Sequence, residues 1–182
     1  MRRLSLLLLV AGLGGCVVMP PTTSLAPGVT AREDLSHRYV AIIGPKLRRA
    51  PPFLGVDSTN YEVLRSWLDR TTGKAHHQLY VSDSYAGERR GWDAAHDDTG
   101  AALPFVAISH DQITCDPGCS WQEDFAANIA DAQLREATNG LAVIFTARSG
   151  AETRIELSQT QIAAQLAAID AERRRLATSR SG

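Results

Sequence analysis

Neither sign of charge dominates this sequence of 182 residues. It has 19 lysine and arginine residues against 20 aspartate and glutamate residues, so its formal net charge is −1 at pH 7. A protein that binds nucleic acid through the phosphates needs a basic patch or stripe. Such an even balance argues against that class, and we expect no nucleic-acid partner.

The sequence also lacks the short motifs that mark many catalytic and nucleotide-binding sites. It contains no GxSxG elbow, no HExxH zinc motif, no GxxxxGK phosphate loop and no GxGxxG turn after a strand. Ser109, His110 and Asp111 are the residue types of a hydrolytic triad, but triads join residues that are distant in sequence. These absences favour a protein without enzymatic activity, and we expect no cofactor.

Aromatic residues are few, with three Trp, four Tyr and four Phe. Tryptophans near arginines can bind a glycan or a peptide through stacking and cation–π contacts. In a domain with so few aromatics, we expect Trp67 and Trp121 to belong to the core. Trp92 lies beside a glycine and charged residues, outside any evident strand. Arg89, Arg90 and Trp92 are therefore the candidate binding residues.

No apolar run reaches the roughly 20 residues that a transmembrane helix needs. The run at residues 4–13 is half that length, follows Arg2 and Arg3, and ends in Leu13-Gly14-Gly15-Cys16. This arrangement is typical of a secretory signal. The last four residues resemble the lipobox of bacterial lipoproteins, in which the cysteine receives a diacylglyceryl group and becomes the acylated N terminus after cleavage. An ordinary secretory signal, with Cys16 incidental, is the alternative.

The lipobox resemblance implies a mature chain held at the membrane by lipid on Cys16. Stable anchoring takes about two lipid signals, so we expect this lipid to be the only membrane attachment. In bacteria that sort lipoproteins by the next residue, Asp marks retention in the inner membrane, whereas Val17 follows here. We expect the outer membrane, facing the periplasm; the inner membrane and the cell surface remain alternatives.

Composition divides the chain into four parts. Residues 1–15 are the signal, and residues 16–34, which contain three prolines, are predicted to form a flexible tether. Residues 35–176 are sufficient for one β-rich domain with a core. Residues 177–182 are predicted to form a frayed tail.

The two remaining cysteines, Cys115 and Cys119, flank a turn-forming Asp-Pro-Gly segment. In an oxidising compartment a disulfide is the default for such a pair. Redox motifs usually have two residues between the cysteines, and here there are three. We expect the bridge to shape a loop, with a redox pair or half a metal site as alternatives.

Histidines next to carboxylates provide the best set of candidate metal ligands. His96, Asp97, His110 and Asp111 could bind a divalent ion if their loops met at one end of a sheet. None of them has the spacing that makes a metal motif specific. We expect no metal, and keep these four residues as the alternative. Adjacent His76 and His77 point to opposite faces if they lie in a strand.

Alternating apolar residues predict an antiparallel β fold. Strands are expected near residues 39–43, 61–68, 78–85, 103–108, 121–129, 141–147 and 153–157. Pro104 lacks a backbone donor, which favours an edge strand or the beginning of its strand. A short helix capped by Asp131 is predicted near 131–138, and a C-terminal helix near 159–176, starting with a capping box at Ser158 and Gln161. The expected fold is an antiparallel β-sandwich or curved sheet of about six to seven strands.

These features favour a lipid-anchored envelope protein that binds another envelope protein or supports an assembly. A periplasmic hydrolase or metal-dependent enzyme that uses the loop His and Asp residues is the alternative. A carrier of small apolar ligands is a third possibility.

Overall fold

The computed structural model describes residues 28–180, so Cys16, the signal and most of the predicted tether lie outside the described residues. The strands are β1 (Thr30–Glu33), β2 (Tyr39–Ile43), β3 (Leu47–Arg48), β4 (Tyr61–Asp69), β5 (Ala75–Ala86), β6 (Trp92–Asp97), β7 (Ala102–Leu103), β8 (Phe105–Thr114), β9 (Ser120–Ile129), β10 (Leu141–Ala147) and β11 (Glu152–Leu157). The helices are α1 (Asp131–Glu136) and α2 (Gln159–Arg180), and Phe53–Gly55 forms a 3₁₀ turn.

The strands form two antiparallel sheets. The larger has seven strands in the order β1-β2-β4-β5-β9-β8, with β3 also pairing with β4, and the smaller has the order β11-β10-β6-β7. The predicted hairpins β4–β5 and β10–β11 are both present, with Leu64 opposite Leu79 and Val143 opposite Ile155. The predicted β-rich fold with a short helix and a C-terminal helix is confirmed. The sheets have four more strands than the seven expected. β1, β3 and β7 are too short to leave an alternating pattern, and the buried residues of β6 do not alternate.

Both the smaller sheet and α2 pack on the same face of the larger sheet. Phe125 of the larger sheet contacts Trp92 and Phe145 of the smaller one, with ring centres 5.0 and 4.9 Å apart. Beside this core, Ile169 of α2 packs in a second apolar cluster with Ile42. The result is a β-sandwich-like fold in which α2 covers the part of the larger sheet that the smaller sheet leaves open.

Helix α2 begins with the predicted capping box. The backbone amide of Gln161 donates to Ser158 Oγ over 3.3 Å, and the amide of Ser158 donates to Gln161 Oε1 over 2.9 Å. Ile162, Ile169 and Leu176 are buried on one stripe of the helix. α2 continues to Arg180, four residues beyond the predicted end of the helix near 176. No described helix is both long and apolar enough to cross a membrane.

Three other local predictions are corrected. β1 lies inside the predicted tether and pairs with β2, so the sheet begins earlier in the chain. Residues 92–97 form β6, which the sequence did not indicate because its buried residues do not alternate. Asp131 does not cap α1, since the N-cap position is Ala130 and the Asp131 carboxylate binds other side chains. Pro104, as expected, directly precedes the edge strand β8.

Candidate functional site

Trp92, a candidate binding residue from the sequence, belongs to the core. It is 6% exposed, stacks on Phe125, and donates from Nε1 to Asp83 Oδ2 over 3.0 Å. Arg90 is held by the same carboxylate, with Nη1 at 2.7 Å from Asp83 Oδ2. Only Arg89, in the connection between β5 and β6, is exposed. The structure therefore does not provide a ligand surface through the ring of Trp92.

Asp83 and Glu123 face each other on β5 and β9 inside this core. Asp83 also accepts from Arg49 Nη2 at 2.5 Å, while Glu123 accepts from the Tyr85 hydroxyl and from two backbone amides. Burial and the hydrogen bond to Glu123 raise the pKa of the Tyr85 phenol. Both carboxylates therefore accept from several donors within the protein, as buried charges require.

The four alternative metal ligands do not come together. Asp97, at the end of β6, accepts from the Gln133 side chain of α1 over 3.1 Å, whereas His110 lines a small pocket beside Trp92, at the beginning of β6. No group of three or more His, Cys, Asp or Glu residues in the described part of the chain could hold a metal ion. His96 makes its contact with the backbone carbonyl of Asp97, and Asp111 lies in the exposed part of β8.

Cys115 and Cys119 lie at the tip of the β8–β9 hairpin. Their sulfur atoms are 1.98 Å apart, which is disulfide distance. The turn between two strands is the setting expected from the Asp-Pro-Gly segment.

A Ser-His-Asp arrangement does exist, but between residues that the sequence analysis did not combine. His77 Nδ1 lies 2.8 Å from Ser66 Oγ, and His77 Nε2 lies 2.8 Å from Asp131 Oδ1. Ser66 Oγ also accepts from Gln165 Nε2 over 2.9 Å. Because a carboxylate only accepts, Nε2 of the neutral ring carries the proton and Nδ1 accepts from the Ser66 hydroxyl. Each residue therefore donates to the next: Gln165 to Ser66, Ser66 to His77, and His77 to Asp131. We call this chain of hydrogen bonds the relay.

This buried relay is not arranged for hydrolysis. Ser66 is fully buried beneath α2, and its oxygen is already hydrogen-bonded. In a hydrolytic triad the serine contacts Nε2 and the aspartate contacts Nδ1, which is the reverse of the contacts here. Burial lowers the pKa of His77 even though Asp131 opposes that effect. The relay connects β4 and β5 to both helices, and burial favours the neutral form of the histidine.

The opposite face of the larger sheet carries the residues most suited to binding. Directly paired residues share a face, and the partners Trp67–His76 and Val63–Tyr80 place Trp67 and Tyr80 away from α2 and the smaller sheet. We call this surface the open face, because α2 and the smaller sheet pack on the opposite face. Its half-buried large side chains are Tyr39, Tyr61, Arg65, Trp67 and Tyr80.

The side chains of the open face contact one another. The guanidinium carbon of Arg65 lies 5.1 Å from the ring centre of Trp67 and 4.5 Å from that of Tyr80. The ring centres of Tyr80 and Tyr61 are 5.8 Å apart, and Lys46 Nζ lies 4.1 Å from the Tyr61 ring centre. These cation–π contacts fix the rings in an ordered row across the sheet.

Polar groups hold Arg65 in place within that row. Arg65 Nε donates to Gln78 Oε1 over 2.9 Å, and Gln78 Nε2 donates to Asn128 Oδ1 over 2.9 Å. Burial raises the pKa of Tyr80, as do its neighbours Tyr61 and Asp124, so this phenol stays neutral. The open face therefore offers rings and fixed donors, which suit binding rather than proton transfer.

Two hollows flank Trp67 and His76 at one end of the open face. One, of about 510 Å³, lies between these residues and Asp131, and its wall also includes His77. The other, of about 350 Å³, lies between them and Tyr39. His76 is exposed and His77 is buried, as predicted for neighbours in a strand. The exposed histidine thus forms part of a ridge between the two hollows.

This surface was not predicted from the sequence, because Trp67 was expected to belong to the core. Trp121 is also not a core residue, since it is half-buried and donates from Nε1 to the Gly87 carbonyl over 3.1 Å. The sequence of β4 contained a signal for the open face. This strand is apolar on both faces, which is more than a strand covered on one face requires.

Comparison with models of protein families, with curated proteins and with solved structures finds no match to this chain.

Proposed function

We propose that this chain is a lipid-anchored cell-envelope protein whose β domain is a non-enzymatic binding module, with the open face as its binding surface. The observation that carries the proposal is the row of Trp67, Arg65, Tyr80 and Tyr61, half-exposed on the sheet face opposite α2 and the smaller sheet. The lipobox at Cys16 supports the anchor, and outer-membrane attachment facing the periplasm follows from Val17.

The composition of the open face is that of a protein interface. Trp, Tyr and Arg are enriched among residues that contribute most to binding energy, and they are most effective where neighbours exclude water. Tyrosine and tryptophan combine a large apolar ring with a polar group, so they tolerate water before the partner binds. The partner we propose is another envelope protein.

The buried clusters support a binding role over an enzymatic one. Asp83, Glu123 and His77 are hydrogen-bonded within the protein, and Ser66 has no access to solvent. The disulfide expected between Cys115 and Cys119 fits the oxidising periplasm.

Photocrosslinking in cells tests the binding surface. p-Benzoylphenylalanine placed at position 76 or 128, both exposed on the open face, should give a discrete protein adduct after irradiation. Position 152, exposed on β11 of the smaller sheet, is the matched control and should give none. Trp67→Ala should reduce the adduct by roughly 30-fold or more if Trp67 contributes about 2 kcal/mol to binding, whereas Trp67→Phe should retain part of it. Equal labelling from position 152 would contradict the proposal.

Incorporation of a fatty-acid probe tests the anchor separately. The Cys16→Ser variant should incorporate none, and continued incorporation at the level of the unsubstituted protein would show that the lipobox interpretation is wrong.

A further inference from the structure

Three of the five large apolar side chains that are exposed among the described residues lie at one end of the larger sheet. Leu54 is 77% exposed, Val56 is 50% exposed and Ile113 is 46% exposed. All three lie where β4 begins and where β5 and β8 end. We call this the hairpin end, because the Cys115–Cys119 turn is also there. Large exposed apolar groups that cluster in this way mark a contact surface.

The apolar loop at the hairpin end has a defined shape. Residues 50–56 are Ala, Pro, Pro, Phe, Leu, Gly and Val, so the loop has no charged side chain. The amide of Phe53 donates to Thr59 Oγ1 over 2.8 Å, and Asn60 Nδ2 donates to the Pro51 carbonyl over 2.9 Å. Leu54 has a φ of +51°, in the left-handed region. The fold therefore holds these apolar side chains in the solvent rather than leaving them there by fraying.

The loop faces the hairpin across an apolar cleft. Phe53 and Leu54 form one wall, Pro117 and Cys119 form the other, and the cleft has a volume of about 500 Å³. Its apolar walls and the exposed Leu54 form one continuous surface at the tip of the domain.

The chain enters the domain from this same end. β1 and β4 both pair antiparallel with β2, so they run in the same direction, and both begin on the side of the hairpin end. The described residues start at Gly28, which lies against Pro45. Residues 17–27 connect that point to Cys16 and span at most about 40 Å when extended. The described chain therefore begins on the side of the apolar tip, and residues 17–27 are long enough for that tip to reach the membrane that holds the lipid.

We propose that the hairpin end rests in the surface of the bilayer that holds the lipid of Cys16, with residues 50–56 and Pro117 immersed among the headgroups. This inference rests on the proposed lipid anchor. Interfacial apolar groups bury about 5–10 Å into the headgroup boundary, a depth that a single loop can reach. Arg48 precedes the loop, and its partner Asp57 is highly exposed, so the guanidinium can exchange that contact for a lipid phosphate. The lipid is then not the only contact with the membrane, contrary to the sequence-based expectation.

Depth-dependent quenching tests this arrangement in the lipidated full-length protein. Leu54→Cys and, separately, Val56→Cys are labelled with the environment-sensitive fluorophore NBD and reconstituted into phosphatidylcholine–phosphatidylglycerol nanodiscs with or without doxyl lipid. Leu35→Cys is the matched control, since Leu35 is fully exposed in the β1–β2 turn at the opposite end. The unsubstituted protein is the labelling blank.

We expect doxyl lipid to quench NBD at positions 54 and 56 at least about threefold more strongly than at position 35, as follows from immersion at the interface. Equal quenching at the three positions overturns the inference. A second result would also overturn it: a blue shift of the NBD emission at position 54 with no quenching of that emission by doxyl lipid. Such a result indicates contact with protein, such as a second copy, instead of lipid. Co-purification with the nanodisc reports the anchor itself: its loss refutes the proposed function, and its retention with equal quenching refutes only the bilayer contact.

Discussion

Mild acid is expected to destabilise this fold through His77. Burial lowers the pKa of the imidazole in the folded protein, although the hydrogen bond to Asp131 opposes the effect. In the unfolded chain the pKa is about 6.5. The unfolded state therefore binds more protons below that pH. The contribution of His77 is complete above about pH 6.5 and is lost as the pH falls toward the folded-state pKa.

The size of the effect is bounded by one proton. The free energy of unfolding can fall by at most about 1.4 kcal/mol per pH unit within that window. His77→Asn removes the titration while keeping an acceptor near the Ser66 hydroxyl, and it loses the hydrogen bond to Asp131. We expect this variant to be less stable than the unsubstituted protein by about 1–3 kcal/mol at pH 7.5, with a smaller difference at pH 5.5.

Urea unfolding followed by far-UV circular dichroism at pH 7.5, 6.5 and 5.5 measures this difference. Carboxylates with a lowered pKa, such as Asp97, lose stability only as the pH approaches about 4, below this window. His76→Asn is the control, because His76 is exposed on the other face and should leave the pH dependence unchanged. Parallel pH dependence in the unsubstituted protein and His77→Asn would refute the reasoning, as would a gain in stability on acidification.

Two further substitutions test packing and the buried charges. Gly44→Ala would place its Cβ 2.9 Å from the Leu64 carbonyl oxygen and should destabilise the protein by about 1–3 kcal/mol in thermal unfolding; Gly118→Ala, which meets no atom within 4 Å, should not. Asp83→Ala leaves two partly buried guanidinium groups without their carboxylate and should cost about 3 kcal/mol or more in urea unfolding; Asp93→Ala removes only a surface pair and should stay within about 1 kcal/mol. Equal losses in either pair would contradict the packing or the charge argument.

Long alternating segments made much of this fold predictable from the sequence. The hairpins β4–β5 and β10–β11 and helix α2 have enough residues for a period of two or a stripe to stand out. β3 and β7 have two residues each, so pairing with a neighbouring strand decides their conformation. β6 buries Trp92, Ala95 and Asp97, a pattern without regular alternation, and its register shifts against β10 near Thr146.

The candidate site was less predictable because it depends on which face of a strand is covered. β4 has Leu64 and Leu68 on one side and Val63 and Trp67 on the other, and both sides look apolar in sequence. α2 packs on the side of β4 that contains the polar Ser66. Trp67 lies on the other side and therefore stays at the surface. Trp92 is the opposite case, a candidate binding residue from the sequence that the fold buries. Its ring nitrogen can be buried because it donates to Asp83, a residue of another strand.

The two proposed surfaces together constrain the kind of partner. β5 runs from His76, beside the hollows of the open face, to Ala86 at the hairpin end, a distance of about 30 Å at 3.3 Å per residue. With the hairpin end in the bilayer, the strands stand roughly upright, and the hollows beside Trp67 lie far above the headgroups. A lipid headgroup of the same membrane cannot reach them. The partner is therefore expected to be a protein that extends into the periplasm, which is why crosslinks from position 76 should appear on protein and not on lipid.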